Sequence, residues 1–98
     1  MPTKKFNVVW LKLALQDMHN IATYIASTDP EAATQVVQSI WDNAQSLSFF
    51  PDRAVRGRVP GTRELMHASL PYFIAFRVKA NTVQILRVIH TSRNYPQN

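Results

Sequence analysis

"YFIAFRVKANTVQILRVIHT", Tyr72–Thr91, is two apolar, β-branched and aromatic runs separated by Ala80-Asn81. Runs of this length and composition read as strands, and so short a break leaves only a tight hairpin between them. "YFIAF" is apolar enough to need burial as a central strand does. Upstream, "RELMHASL" (63–70) stops at Pro71 and reads as another strand. Three consecutive antiparallel strands are therefore expected.

Ahead of them lies "PDRAVRGRVPGT" (51–62), with two prolines, both glycines of the chain and three arginines. It has no periodicity and reads as a loop. Further upstream the period changes from two to between three and four. Leu11, Ala14, Leu15, Met18, Ile21, Ala22 and Ile25 repeat at helical spacing, so a first helix is expected from about Lys12 to Ser27. Asp29, Pro30 and Glu31 then supply a cap, a first-turn proline and a charge suited to a helix start. Ala33, Val36, Val37, Ile40, Trp41, Ala44 and Leu47 form the second stripe, with Trp41 expected in the core. "KFNVVW" (5–10) reads as an opening strand ending in a packed Trp10.

The order is β-α-α-β-β-β, an α+β domain spanning residues 1–98. A helical hairpin on one face of a small, mainly antiparallel, twisted sheet would bury both stripes and leave the other face partly open.

Composition narrows the function. The chain has 98 residues, no cysteine and only two glycines, which removes disulfides, thiolate chemistry and a glycine-rich phosphate cradle. Eleven Lys and Arg against six Asp and Glu give a net charge of +5, which favours anionic partners. From Arg53 onward there are seven arginines and one lysine against one acid, Glu64. Lys4 and Lys5 precede "FNVVWL", but Lys12 interrupts the run before a signal-peptide core accumulates. No apolar run reaches the roughly 20 residues needed to span a bilayer, so a cytoplasmic protein with no membrane role is expected.

The side-chain inventory offers little catalysis. His19, His67 and His90 are scattered without ligand spacing, so neither a metal nor a cofactor is expected. The carboxylates fall on polar helix faces, caps and loop edges, and Ser69 and Ser92 lack a nucleophile elbow. The arginines remain. Several would converge on the sheet face away from the helices, where planar guanidinium forks suit phosphates and carboxylates.

"DPEAA", "LSFFPDRAVRGR", "GTRELMHASLPYFIAFRV" and "VQILRVIHTSRNYP", in this order, make the chain resemble the RelE/ParE superfamily of bacterial type II toxins over residues 8–96. The start of the first helix, "LKLALQDM", departs from the small polar or proline-containing cap common in relatives. The resemblance implies one of two activities. RelE-like members are ribosome-dependent mRNA endonucleases, whereas ParE-like members poison DNA gyrase. In both branches an antitoxin neutralises the toxin.

RelE-like chains place basic residues on the middle strands, where this sequence aligns Glu64, Met66 and Phe73. Only Arg93 and Tyr95 match the C-terminal catalytic pair, and an acid with two apolar groups cannot stabilise charge on a reacting phosphate. The expected function is thus ParE-like and non-enzymatic, with mRNA cleavage as the alternative. The expected contact residues for gyrase, DNA or antitoxin are Arg58, Arg63, Arg77, Arg87, His90, Arg93 and Tyr95. The implied antitoxin would form a hetero-oligomer with the toxin through an acidic C-terminal segment.

Overall fold

A computed structural model describes residues 5–96; Lys4, which enters the charge reading, lies outside them. In chain order the elements are β1 (Asn7–Trp10), α1 (Lys12–Ala26), α2 (Pro30–Gln45), β2 (Val55–Arg56), β3 (Arg63–Met66), β4 (Tyr72–Lys79) and β5 (Thr82–His90). They form one five-stranded sheet of order β1-β5-β4-β3-β2. Neighbours are antiparallel except β1, which runs parallel to β5. The helical hairpin covers one face, as the two stripes require.

Asp29 caps α2 by accepting the Ala32 N–H at 3.0 Å, with Pro30 opening the helix. Leu11 precedes α1 without a side-chain cap; its own N–H is tied instead to the Ile85 carbonyl at 3.0 Å. The core between helices and sheet joins Ala14, Met18, Ile40 and Ala44 to Leu65, Ile74, Phe76 and Val83. Small Ala14 and Ala44 are fully buried, which lets the helix backbones sit close to the strands.

Four expectations need correction. Trp41 is not a core residue. At the rim of the helical layer it is 39% exposed and stacks on Trp10, ring centroids 4.8 Å apart and planes 7° from parallel. Each indole thereby shields one face of the other. Leu15 is likewise exposed, because α1 turns Ala14 and Met18 to the sheet and leaves Leu15 on its flank. The 51–62 loop contains a short helical turn, Pro51–Arg53, and the edge strand β2, which pairs Val55 with Glu64. Finally, "RELMHASL" is a strand only to Met66. There His67 Nδ1 accepts the Ser69 and Leu70 N–H groups at 3.1 and 3.0 Å, closing a turn. With Nδ1 so engaged, the proton sits on Nε2 and is donated to Ser39 Oγ at 2.8 Å. That polarity is the reverse of an activated serine.

The β4–β5 turn is the two-residue Ala80-Asn81, and Ala80 lies in the left-handed region with φ of 55°. Asparagine tolerates that conformation better than alanine. Ala80→Asn is expected to raise stability by about 0.5–1 kcal/mol, read as a melting temperature a few degrees higher.

Candidate functional site

Strand register fixes what projects from the face without helices. Phe73 pairs with Met66 and Ile89, and Ala75 with Glu64 and Arg87, so all six begin on that face. Yet Phe73 is only 1% exposed and Glu64 only 3%. Two segments cover them: the loop that follows β2 and the tail that follows β5.

The loop delivers Arg58. At Gly57 the chain folds back on Thr62, with the Gly57 N–H donating to the Thr62 carbonyl at 2.8 Å. A Cβ on residue 57 would stand 2.9 Å from that carbonyl, so only glycine permits this approach. Arg58 then grips Glu64 with both backbone and side chain. Its N–H and Nε each donate to Glu64 Oε2 at 3.0 Å, and Nη2 donates to Oε1 at 2.9 Å. The same guanidinium lies 4.7 Å over the Phe73 ring centroid and 5.7 Å from that of Tyr95. Tyr95 meets Phe73 edge-on at 5.6 Å. A cation, an acid and two aromatic rings thus form a small second layer on the open face.

The chemistry of this layer is muted. Glu64 takes up the charge of Arg58. Burial, chiefly, pushes the Tyr95 phenol above its ordinary 10.0; Glu64 adds to the rise, while Arg87 and Arg58 oppose it. Tyr95 therefore stays protonated at neutral pH and is no base there.

A second cluster lies where β1 ends. β1 pairs with β5 only from Thr82 to Ile85, so the rest of the β5 edge faces α1. Asp17 of α1 supplies the missing acceptor. Its Oδ2 takes the Val88 N–H at 2.9 Å and Arg87 Nε at 2.7 Å, while Oδ1 takes Arg87 Nη2 at 3.0 Å. This hydrogen bonding raises the Arg87 pKa further and fixes its charge. Beside the pair opens a groove of about 470 Å³, walled by Ile21 and Tyr24 of α1, by Tyr72, and by His90 and Arg93. Tyr72 meets His90 edge-on at 5.2 Å, and burial raises the Tyr72 phenol, with Tyr24 contributing. His90 Nδ1 is occupied by the Ser92 N–H at 3.1 Å. Arg93 is exposed and makes no ion pair among the described residues.

The expected contact residues thus divide into two clusters and two outliers. Arg58 and Tyr95 meet on the open face; Arg87, His90 and Arg93 line the groove. Arg63 pairs with Phe76 and so turns to the helix side, where Nη1 donates to Asp52 Oδ1 at 2.8 Å and to the Pro51 carbonyl at 3.2 Å. Arg77 sits at the far end of the sheet and donates to Gln84 Oε1 at 2.5 Å. The expected gathering of several strand arginines on one face does not occur, because register turns Arg63 to the helix side and Asp17 draws Arg87 towards α1. Glu64 and Phe73 have roles the sequence reading missed: they hold Arg58. One signal was there, since a lone acid among arginines on a strand calls for a partner. Among the described residues no three His, Asp or Glu side chains gather as metal ligands.

The family model described as "ParE toxin of type II toxin-antitoxin system, parDE" matches residues 8–95. The chain belongs to the ParE toxin family. It is a ParE-family toxin of a type II toxin–antitoxin system, and its relatives agree. "Putative toxin Y4kP" of Sinorhizobium fredii is 38% identical over 88 residues, covering 90% of this chain and 91% of that protein. The structure described as "Chromosomal ParDE TA system from P. aeruginosa" superposes with a TM-score of 0.81 at 30% identity, covering 90% of this chain and 98% of the other. A chain of the RelBE2 toxin–antitoxin complex from Mycobacterium tuberculosis shares the fold, with a TM-score of 0.64 at 24% identity over 92% of this chain and 99% of that one. Two helices on a five-stranded mixed sheet are common ground for this ParE-family toxin and both structures. No helix among the described residues is long and apolar enough to cross a membrane.

Proposed function

We propose that this ParE-family toxin binds DNA gyrase and holds the enzyme on broken DNA, without itself cleaving a covalent bond. The observation that carries the reading is the saturated state of Arg58. Metal-free RNA cleavage needs a free cation for the phosphate and groups to move protons. Here the guanidinium nearest Tyr95 is already matched to Glu64, and Tyr95 is a packed phenol whose ionisation is disfavoured. Beside Arg93 and Tyr95, the two positions shared with the ribonuclease pattern, the strand positions that are basic in that pattern hold Glu64, Met66 and Phe73, and the nearby Arg87 is already bound to Asp17. Contact residues for gyrase or its DNA are then Arg58, Arg77, Arg87, His90 and Arg93 with Tyr95, and Arg63 on the helix side.

In a supercoiling assay with purified gyrase and relaxed plasmid, the toxin stops the introduction of supercoils. A ribosome-dependent endonuclease would leave supercoiling intact and cut mRNA in a reconstituted translation reaction.

The second partner is an antitoxin acting in the cytoplasm. The P. aeruginosa relative is described as part of a toxin–antitoxin system. The net charge of +5 suits an acidic segment that folds onto the toxin, forming a hetero-oligomer. Its affinity is expected to fall steadily as salt is raised, measured by calorimetry. An affinity unchanged by salt would remove the electrostatic part of this reading.

A further inference from the structure

We infer that the groove between α1 and the end of β5 is a binding site for a nucleotide of single-stranded nucleic acid. This deepens the gyrase reading and rests on it for its biological setting: the strand would be DNA opened in the enzyme's complex. The inference itself comes from what the groove offers a ligand.

Its one acid, Asp17, is spent on Arg87 and on the Val88 N–H, so it repels no anion. Arg93, on the turn after β5, is a lining cation with no ion pair among the described residues. The lining therefore carries a net positive charge from Asp17, Arg87 and Arg93 together. His90 accepts the Ser92 N–H at Nδ1, which in the neutral ring leaves Nε2–H as a donor. Across the groove stands Tyr24, 80% exposed on α1, so its ring is open to a ligand. Tyr72 supplies a second phenol and Ile21 an apolar wall.

A guanidinium for a phosphate, an exposed aromatic ring for a base and a shallow apolar wall are the parts of a sequence-tolerant single-strand platform. The volume of about 470 Å³ is that of a small-ligand site, large enough for one nucleotide. It offers no long positive track, which binding to the backbone of a duplex would require. An acidic peptide would use Arg93 but would leave the Tyr24 ring without a planar partner.

The test uses the purified toxin alone, with fluorescently labelled single-stranded oligothymidine and binding read by anisotropy at low salt. The same sequence as a duplex, a glutamate-rich peptide and inorganic phosphate serve as competitors. The single strand is expected to bind, and both Arg93→Ala and Tyr24→Leu to weaken it by roughly fivefold or more. Tyr24→Phe retains binding, and Lys79→Ala, which removes one charge at the remote hairpin, changes it less than twofold. Arg93 and Tyr24 are exposed, so circular dichroism of both variants stays that of the parent protein. Absent binding, equal affinity for duplex, displacement by the peptide at lower concentration than by oligonucleotide, or equal losses in Arg93→Ala and Lys79→Ala would each overturn the inference. Gyrase is absent from this assay. Inhibited gyrase without strand binding therefore sinks this inference alone, and strand binding without gyrase inhibition sinks the target reading alone.

Discussion

Phe73→Ala is expected to destabilise the protein by about 3–5 kcal/mol, the range for removing a fully buried phenylalanine. The ring is 1% exposed although it lies on the face the helices do not cover. It is the floor on which two other side chains rest, the Arg58 guanidinium and the Tyr95 ring. Its loss therefore leaves a void and also removes a cation–π contact and an edge-to-face pair. Urea denaturation followed by circular dichroism measures the cost. Phe73→Leu keeps most of the volume and is expected to cost less than half as much. A cost below about 1 kcal/mol for Phe73→Ala would mean that the loop and tail close over the gap, and that this second layer is not packed as described.

Arg58→Ala produces the other large effect. It leaves the Glu64 carboxylate, whose side chain is 4% exposed, without a counter-charge. Breaking a buried ion pair costs about 3–5 kcal/mol, but the Arg58 side chain is 42% exposed and partly screened by water. About 2 kcal/mol is therefore expected. The Arg58 backbone N–H remains on Glu64 and moderates the loss. Adding Glu64→Leu to Arg58→Ala is expected to recover more than half of the stability, since the stranded charge is gone. Additive losses in the double variant would show that Arg58 acts through packing alone.

Much of the fold was legible because it is written in local periodicity. The helical stripes, the Asp29-Pro30 start and the Ala80-Asn81 turn each depend on residues within a few positions of one another. The misreadings came where a particular side-chain contact, near or far in sequence, overrode what composition and spacing indicate. Trp41 carries the spacing of a core residue, yet its environment is set by Trp10, from another element. "RELMHASL" keeps its strand composition beyond Met66, but the His67 imidazole turns the backbone by accepting two N–H groups.

The candidate site was legible as a list of charges and not as an arrangement. Nothing in the sequence tells that Arg87 reaches Asp17, seventy positions away, while Arg93 meets no acid among the described residues. Nor does spacing reveal that Glu64 and Phe73, which break the ribonuclease pattern, together hold Arg58. The family pattern identified those positions as unusual; only the register across β3, β4 and β5 explains what they do.

A cleavage-complex assay distinguishes a toxin that traps gyrase from one that cuts RNA. Purified toxin is titrated into gyrase, ATP and supercoiled plasmid, and the reaction is stopped with detergent and protease. If the toxin traps gyrase, linear DNA increases with toxin and is absent when gyrase is omitted. Plasmid that stays intact at every toxin concentration, while the same preparation inhibits growth, would contradict it.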